Sequence, residues 1–478
     1  MQDMVSWKDY DGVDGFGAAS SEDVDNLNKA LSAGSEQNPP ASVVPGDGFA
    51  LRVESLESTL KVTTYSMKHI RLWKNIPKLP AYNTVEEHNE LSSYGVNSDS
   101  GFVAEGALPE EDDSSYERKH AFVKFMGTTR SVTHVMSVVK PAHGNVVAAE
   151  TTHGTQHLLK MLERGLFFAD SSLSAVQFDG YQKLMEDNSP AGNIIDLRGV
   201  PLSQDILDDA CLTVHDAPNY GDPTDLYLNP KVHADLSKIF YPKERHDTFG
   251  ATRDGMVGNA IRGFVSPAGD VMFQPDVFID DGGGYNAATI GDTTKIPATP
   301  TISTGLTSPG ATNPLFTADD AGDYFMWVVA CNRYGKAAAK IVDASAHTLA
   351  AGDKLTFGVT PAGSIAVEWW EVYRTPKNGA NTTARLVLRV ANAAGTGETV
   401  IEEFNAKIPG TTHGFLFQQN LEAMSFKQLA PMVKIPLATI DPRIRWMQLI
   451  YGVPVLYAPG KAALIKNIGR AVGYVGAQ

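Results

Sequence analysis

The chain has 478 residues, 43% of them hydrophobic and 20% charged. That balance excludes a wholly disordered chain or a coiled coil, and the length predicts about three domains or one elaborated fold. A formal net charge of −15 argues against a nucleic-acid reader, because phosphate binding needs clustered Lys and Arg. No apolar run is long enough to predict a membrane span. The opening Met-Gln-Asp-Met-Val-Ser lacks the basic and apolar regions of a secretory signal, so none is expected. Cys211 and Cys331 each sit in an apolar run and are expected to be buried free thiols, as suits a reducing cytoplasm.

Residues 1–50 carry nine acids and two bases, a balance of −7. They are rich in Gly, Ser, Asp and Pro, with one short helix predicted from Ser21 to Leu31. The rest reads as an extended arm with too little apolar surface to fold alone. From Ala50 the pattern turns helical, over Leu51–Leu60 and Met67–Trp73, with Leu56, Leu60, Ile70 and Trp73 as anchors. Pro77 and Pro80 end it, and Thr84–Leu91 follows as a short acidic segment.

Residues 95–135 predict a long hairpin, with Gly101–Ala104 and Ala121–Met126 as its strands. Its distal part carries Glu110, Glu111, Asp112 and Asp113, and Arg118 and Lys119 follow on the return arm. Any single charge run is by default a solvated loop. The sharper expectation is an arm that reaches a neighbouring subunit, with these six residues as inter-subunit contacts.

Val146–Phe168 predicts one long helix, with Leu158, Leu162 and Leu166 on one face beside Leu159, and His153, His157, Lys160 and Arg164 on another. Residues 190–295 predict an α/β layer. Ser203 caps a helix whose stripe is Ile206, Leu207, Ala210, Cys211 and Val214. Asp225–Leu228 is a strand. Asn229 caps a second helix, with Pro230 at its first position and Val232, Leu236, Ile239 and Phe240 as its stripe. Strands are expected at Ala260–Val265, Val271–Phe273 and Val277–Ile279. From Lys295 helix signals vanish, and short strands at Tyr324–Cys331, Lys354–Val359, Val367–Tyr373, Ala384–Val390 and Thr399–Phe404 predict an inserted β-sandwich. Its core aromatics are Trp327, Trp369 or Trp370, and Tyr373. Arg445–Tyr457 and Ala462–Ile468 are closing β runs.

No motif carries catalytic chemistry. His153 and His157 share a helical face, a candidate metal pair, but no third ligand is evident and a surface face is the stronger reading. Gly282-Gly-Gly284 lacks the Gly-Lys-Ser/Thr ending of a phosphate loop and reads as a flexible link. No Gly-x-Ser-x-Gly elbow and no cysteine signature is present. No enzyme activity, metal or cofactor is therefore expected.

The order of acidic arm, long hairpin, long helix, α/β layer and terminal strands resembles the major capsid proteins of tailed bacteriophages, which have the Hong Kong 97 capsid fold. The segments that carry the likeness are Arg52-Val-Glu-Ser-Leu-Glu-Ser-Thr-Leu-Lys61 with Lys68-His-Ile-Arg-Leu-Trp-Lys74, then Gly101-Phe-Val-Ala-Glu-Gly106 and Phe125-Met-Gly-Thr-Thr-Arg-Ser-Val-Thr133. Asp225-Leu-Tyr-Leu-Asn-Pro-Lys-Val232 with Phe240-Tyr-Pro-Lys-Glu-Arg245 and Leu449-Ile-Tyr-Gly-Val-Pro-Val-Leu-Tyr-Ala-Pro459 with Ile465-Lys-Asn-Ile-Gly469 complete it. Tyr324–Gly335, with Asn332-Arg-Tyr-Gly335, resembles an immunoglobulin- or fibronectin-like module.

The resemblance implies an α+β fold: an N-terminal arm (1–50), a peripheral domain (51–94 and 131–189, with the spine helix), an extended loop (95–130), an axial domain (190–295, returning at 413–440), an immunoglobulin-like inserted domain (296–412) and closing peripheral strands (441–478). It implies a structural protein that self-assembles into hexamers and pentamers of an icosahedral shell around double-stranded DNA. Portal, scaffold and cement proteins are implied partners, no membrane is, and assembly is implied in the host bacterial cytoplasm. A cellular nanocompartment shell and a carbohydrate- or receptor-binding virion decoration protein remain the alternatives.

Overall fold

The computed structural model describes residues 64–95, 102–108, 111–139, 144–240, 261–279, 283–312, 315–393 and 397–471. The acidic arm, the helices expected at 21–31 and 51–60, Glu110 and Gly282 lie outside the described residues. Of two compact units, the one formed by 63–139 and 145–478 holds every described residue except Gly144.

Two sheets sandwich the long helix and set the position of everything else. One runs in the order Ile194–Asp196, Ala462–Ile468, Thr412–Phe417, Asp225–Leu228, Gly269–Pro275, Gly263–Ser266. Both faces are covered at its central strands, Ala462–Ile468, Thr412–Phe417 and Asp225–Leu228, so neighbouring residues point opposite ways and both are buried. Leu226, Leu228, Leu416, Ala463 and Ile465 pack with Leu207, Ala210, Cys211 and Val214 of the Gln204–His215 helix and with Val232, Leu236 and Phe240 of the Pro230–Phe240 helix. Tyr227, Phe415, Phe417 and Leu464 face the other way, onto Leu158, Leu159, Leu162, Leu166 and Phe167 of the long helix. The second sheet runs Lys78–Pro80, Met424–Pro436, Arg443–Leu456, Lys124–Thr133, and adds Phe426, Val453 and Val455 to that same core.

The helices begin where their caps dictate. The Asn145 side chain accepts from the amides of Val147 and Ala148, and the helix runs Val146–Phe168 as expected. Ser203 Oγ accepts from Ile206 N, and Asn229 Oδ1 from Lys231 N with Pro230 at the first position. The expected helix Met67–Trp73 is instead two short turns, a 3₁₀ turn Met67–His69 and an α turn Leu72–Asn75.

Residues 290–403 hold two larger antiparallel sheets and a small two-stranded one, Gly322–Tyr324 with His347–Leu349. Thr301–Thr307, Leu355–Thr360 and Thr399–Glu403 make one. Arg385–Ala391, Trp369–Arg374, Met326–Asn332, Gly335–Lys336 and Ile290–Gly291 make the other. They share one core that includes Leu306, Val328, Ala330, Phe357, Val359, Trp370, Val372 and Ile401. Trp370 and Tyr373 are buried, whereas Trp327 and Trp369 are only half-buried on the outer side of the larger sheet.

Three strand assignments differ from expectation. Val277–Ile279 is a turn, held by Phe278 N donating to Asp276 Oδ1 at 2.8 Å. Residues 102–104 are not in a strand. The ascending arm of the hairpin is the acidic segment Val85–Ser93, which pairs antiparallel with Ser115–Phe122 from Val85↔Phe122 to Ser93↔Ser115. The closing segments join two different sheets. Met424–Pro436 pairs with Arg443–Leu456, and Ala462–Ile468 joins the sheet of residues 194–275.

Candidate functional site

The hairpin is held by cross-strand charge. Lys119 Nζ lies 2.8 Å from Glu90 Oε2 and 3.9 Å from Glu117 Oε2, and Arg118 Nη1 lies 3.5 Å from Glu87 Oε2. Arg118 Nε also donates to Asn89 Oδ1. These pairs are exposed or half-exposed, so each contributes no more than about 1 kcal/mol. The root is tied more firmly. Glu86 Oε1 accepts from Tyr82 N and Asn83 N at 2.8 and 3.2 Å, Glu86 Oε2 lies 3.7 Å from Lys427, and Lys124 Nζ donates to Ala175 O at 2.7 Å.

Arg118 and Lys119 are thus brought to Glu87, Asn89, Glu90 and Glu117 of their own hairpin. Glu111, Asp112 and Asp113 lie beyond the last paired residues and are exposed, and Glu110 is outside the described residues. The same distal segment turns apolar side chains outward: Phe102 is 93% exposed and Leu108 89%.

On the long helix His153 and His157 are exposed as expected. His153 Nδ1 lies 3.7 Å from Glu150, which also meets Arg130 at 3.5 Å. Burial, with Arg130 and then Lys160 nearby, lowers the His157 pKa. Among the described residues no group of three or more His, Cys, Asp or Glu could hold a metal. Gly284 forms a bridge with Arg385, at the start of the strand Arg385–Ala391. Both cysteines are buried, and burial pushes Cys211 up to about 11 and raises Cys331 as well.

Two buried polar clusters were not visible in the sequence. Glu163, on the apolar face of the long helix, is fully buried and accepts from the backbone amides of Arg71, Leu72 and Trp73 at 2.7, 2.6 and 2.8 Å. It contacts the buried carboxyl of Asp276. Burial first, then that neighbour, pushes Glu163 up to about 9, and burial raises Asp276 too. The second cluster centres on Asn467, fully buried with φ 53°. Its Nδ2 donates to Asp196 Oδ1 at 2.7 Å and Ala406 O at 2.9 Å, and its Oδ1 accepts from Ile408 N at 3.0 Å and Thr411 Oγ1 at 3.1 Å. Beside it Arg198 donates to Asn405 O and Leu315 O at 2.7 and 2.6 Å. A lone Asn near the end of an apolar strand carries no sequence signal for this role. A further tie joins the inserted segment to the body: Ser174 Oγ donates to Glu368 at 2.7 Å, and Arg333 pairs with Glu368 at 2.6 Å.

A family model described as SU10 major capsid protein matches residues 24–320. The major capsid protein of Staphylococcus phage K is 24% identical over 437 residues, covering 88% of this chain and 91% of that protein, and the same figures hold for Staphylococcus phage S25-3. Among solved structures, the capsid of an empty GTA particle aligns at TM-score 0.47 and 7% identity, covering 91% of this chain and 100% of that one. A structure from Microbacterium phage Oxtober96 aligns at TM-score 0.45 and 9% identity, covering 88% and 97%. The structural likenesses are too distant to carry a conclusion by themselves.

Proposed function

The chain belongs to the SU10 major capsid protein family, and from that membership we propose how its parts serve a shell. It is a phage major capsid protein, a structural component of the virion shell and not an enzyme, and copies of it assemble into the capsid. A nanocompartment shell and a receptor-binding decoration protein are not favoured.

The finer reading is a Hong Kong 97-like subunit whose copies form hexamers and pentamers of an icosahedral head around double-stranded DNA. The net charge of −15 suits a container that does not grip its cargo. Residues 1–50 serve as the arm, 146–168 as the spine helix, and 296–412 as an inserted β-sandwich of immunoglobulin type, a reading supported by its two sheets around one core. Assembly in the host cytoplasm and contacts with portal, scaffold and cement proteins belong to the same proposal.

The observation that carries the assembly reading is the hairpin. Its stem pairs its own charges, while its distal segment exposes Glu111, Asp113, Phe102 and Leu108. We assign Glu110, Glu111, Asp112 and Asp113 to a contact with cationic side chains of a neighbouring copy, and Arg118 and Lys119 to the stiffness of the stem that presents them. Each contact is weak, but a closed shell repeats it, so assembly responds steeply. Glu110→Lys with Glu111→Lys is expected to leave the subunit folded and to block or misdirect assembly, and high salt to weaken wild-type assembly in the same direction. Normal shells from the double variant, with an unchanged salt response, refute the contact.

A further inference from the structure

Three segments meet at Glu163 and Asp276. The amides of residues 71–73 open the short turn that leads to the hairpin. Glu163 belongs to the long helix. Asp276 starts the turn, through Phe278, that leads toward the inserted segment.

Both carboxyls are fully buried. Glu163 spends both oxygens on three backbone amides. Asp276 Oδ1 accepts from Phe278 N, but Oδ2 is buried with no hydrogen bond from any other group. The two side chains nevertheless stand in hydrogen-bonding contact. Two ionised carboxylates are acceptors only, so such a contact requires one proton between them. The two carboxyls share that proton, and its titration belongs to the pair.

We propose that the Glu163–Asp276 pair is a proton-held clasp: sharing one proton, it ties the hairpin root and the root of the inserted segment to the long helix, and loss of that proton to solvent releases both. The direction of the pKa shifts agrees, since burial raises both groups and the contact with Asp276 raises Glu163 further. The surrounding charges do not replace the proton. Arg71, which favours an ionised Asp276, has its Nη1 on Gln274 at 3.4 Å, and Gln274 in turn donates to Asp225. Lys78, which faces Glu163, is lowered by burial and donates to Trp73 O at 2.6 Å. The Tyr227 hydroxyl is pushed up strongly by burial, so it stays neutral beside the pair.

The sign follows from the raised values. The clasp is fully closed below the ordinary carboxylate range, and its hold falls as pH rises toward about 9. Hydrogen exchange of the full unassembled chain, corrected for intrinsic rate, tests this between pH 6 and 9.5. The opening constant of the amides of residues 71–73 is expected to rise by up to about tenfold per pH unit, while the Gln204–His215 helix holds constant. Asp276→Asn supplies a donor that does not titrate, so its opening constant is expected to stay flat. Flat wild-type amides, or an Asp276→Asn variant as pH-sensitive as wild type, overturn the proposal. If that variant does not fold, Glu163→Gln and the wild-type profile decide by the same criterion.

Discussion

Asn467→Ala offers a sharp test of how the inserted segment is joined to the body. Four hydrogen bonds end on this side chain, linking Asp196 of the first strand of the large sheet to Ala406, Ile408 and Thr411 of the returning chain. At a net of about 0.5–1.5 kcal/mol per bond they contribute about 2–6 kcal/mol. The lower half of that range applies, because Asp196 Oδ1 keeps Arg198 N at 3.0 Å, Thr411 Oγ1 keeps Ile408 O at 2.7 Å, and Ala406 is exposed enough to meet water. The backbone adds to the cost. At φ 53° Asn is tolerated, whereas Ala pays about 1 kcal/mol. The expected loss is about 3–5 kcal/mol in all. Urea unfolding of unassembled subunits, followed by tryptophan fluorescence, should shift its midpoint with little change in slope. Asn467→Gly, which loses the bonds without the strain, should fall between the two. A loss under about 1 kcal/mol for the Ala variant refutes the account of this joint.

Leu162→Ala, at a site 1% exposed where the long helix meets both sheets, should cost about 2–5 kcal/mol in the same assay, and a neutral result contradicts the packing described. Glu368 tests the second tie. Burial works to raise it, but the Ser174 hydroxyl and the Arg333 guanidinium win and hold it below the usual carboxylate range. Its contribution is therefore present at neutral pH and lost as pH falls through that lowered value. The stability gap between wild type and Glu368→Gln should narrow on acidification toward pH ~3, and a gap that stays constant or widens contradicts the pairing.

What could be read from the residues was local. The long helix was legible because Leu158, Leu162 and Leu166 repeat at the helical period; its cap, Asn145, went unread. The helices after Ser203 and Asn229 were legible from their caps and apolar stripes. The hairpin's ascending arm was not. Val85–Ser93 pairs through Glu87 with Arg118 and Glu90 with Lys119, so it lacks the apolar alternation that announces a strand. Thr412–Phe417 and Met424–Pro436 escaped notice because their partners are far along the chain: Phe415 pairs with Tyr227, and Phe426 with Lys78. Glu163 looks like one more charge on a helix until the amides of residues 71–73 arrive beside it. The acidic tip was legible as a surface, whereas the pairing of Arg118 and Lys119 within the stem was not, because Glu87 and Glu90 come from the unread arm.

The central claim, that copies of this chain build a closed shell, is tested most directly by cryo-electron microscopy of the particles formed by the full-length protein. The account predicts closed icosahedral shells in which this chain forms the continuous wall. A discrete small oligomer under every condition in which the subunit is folded contradicts it.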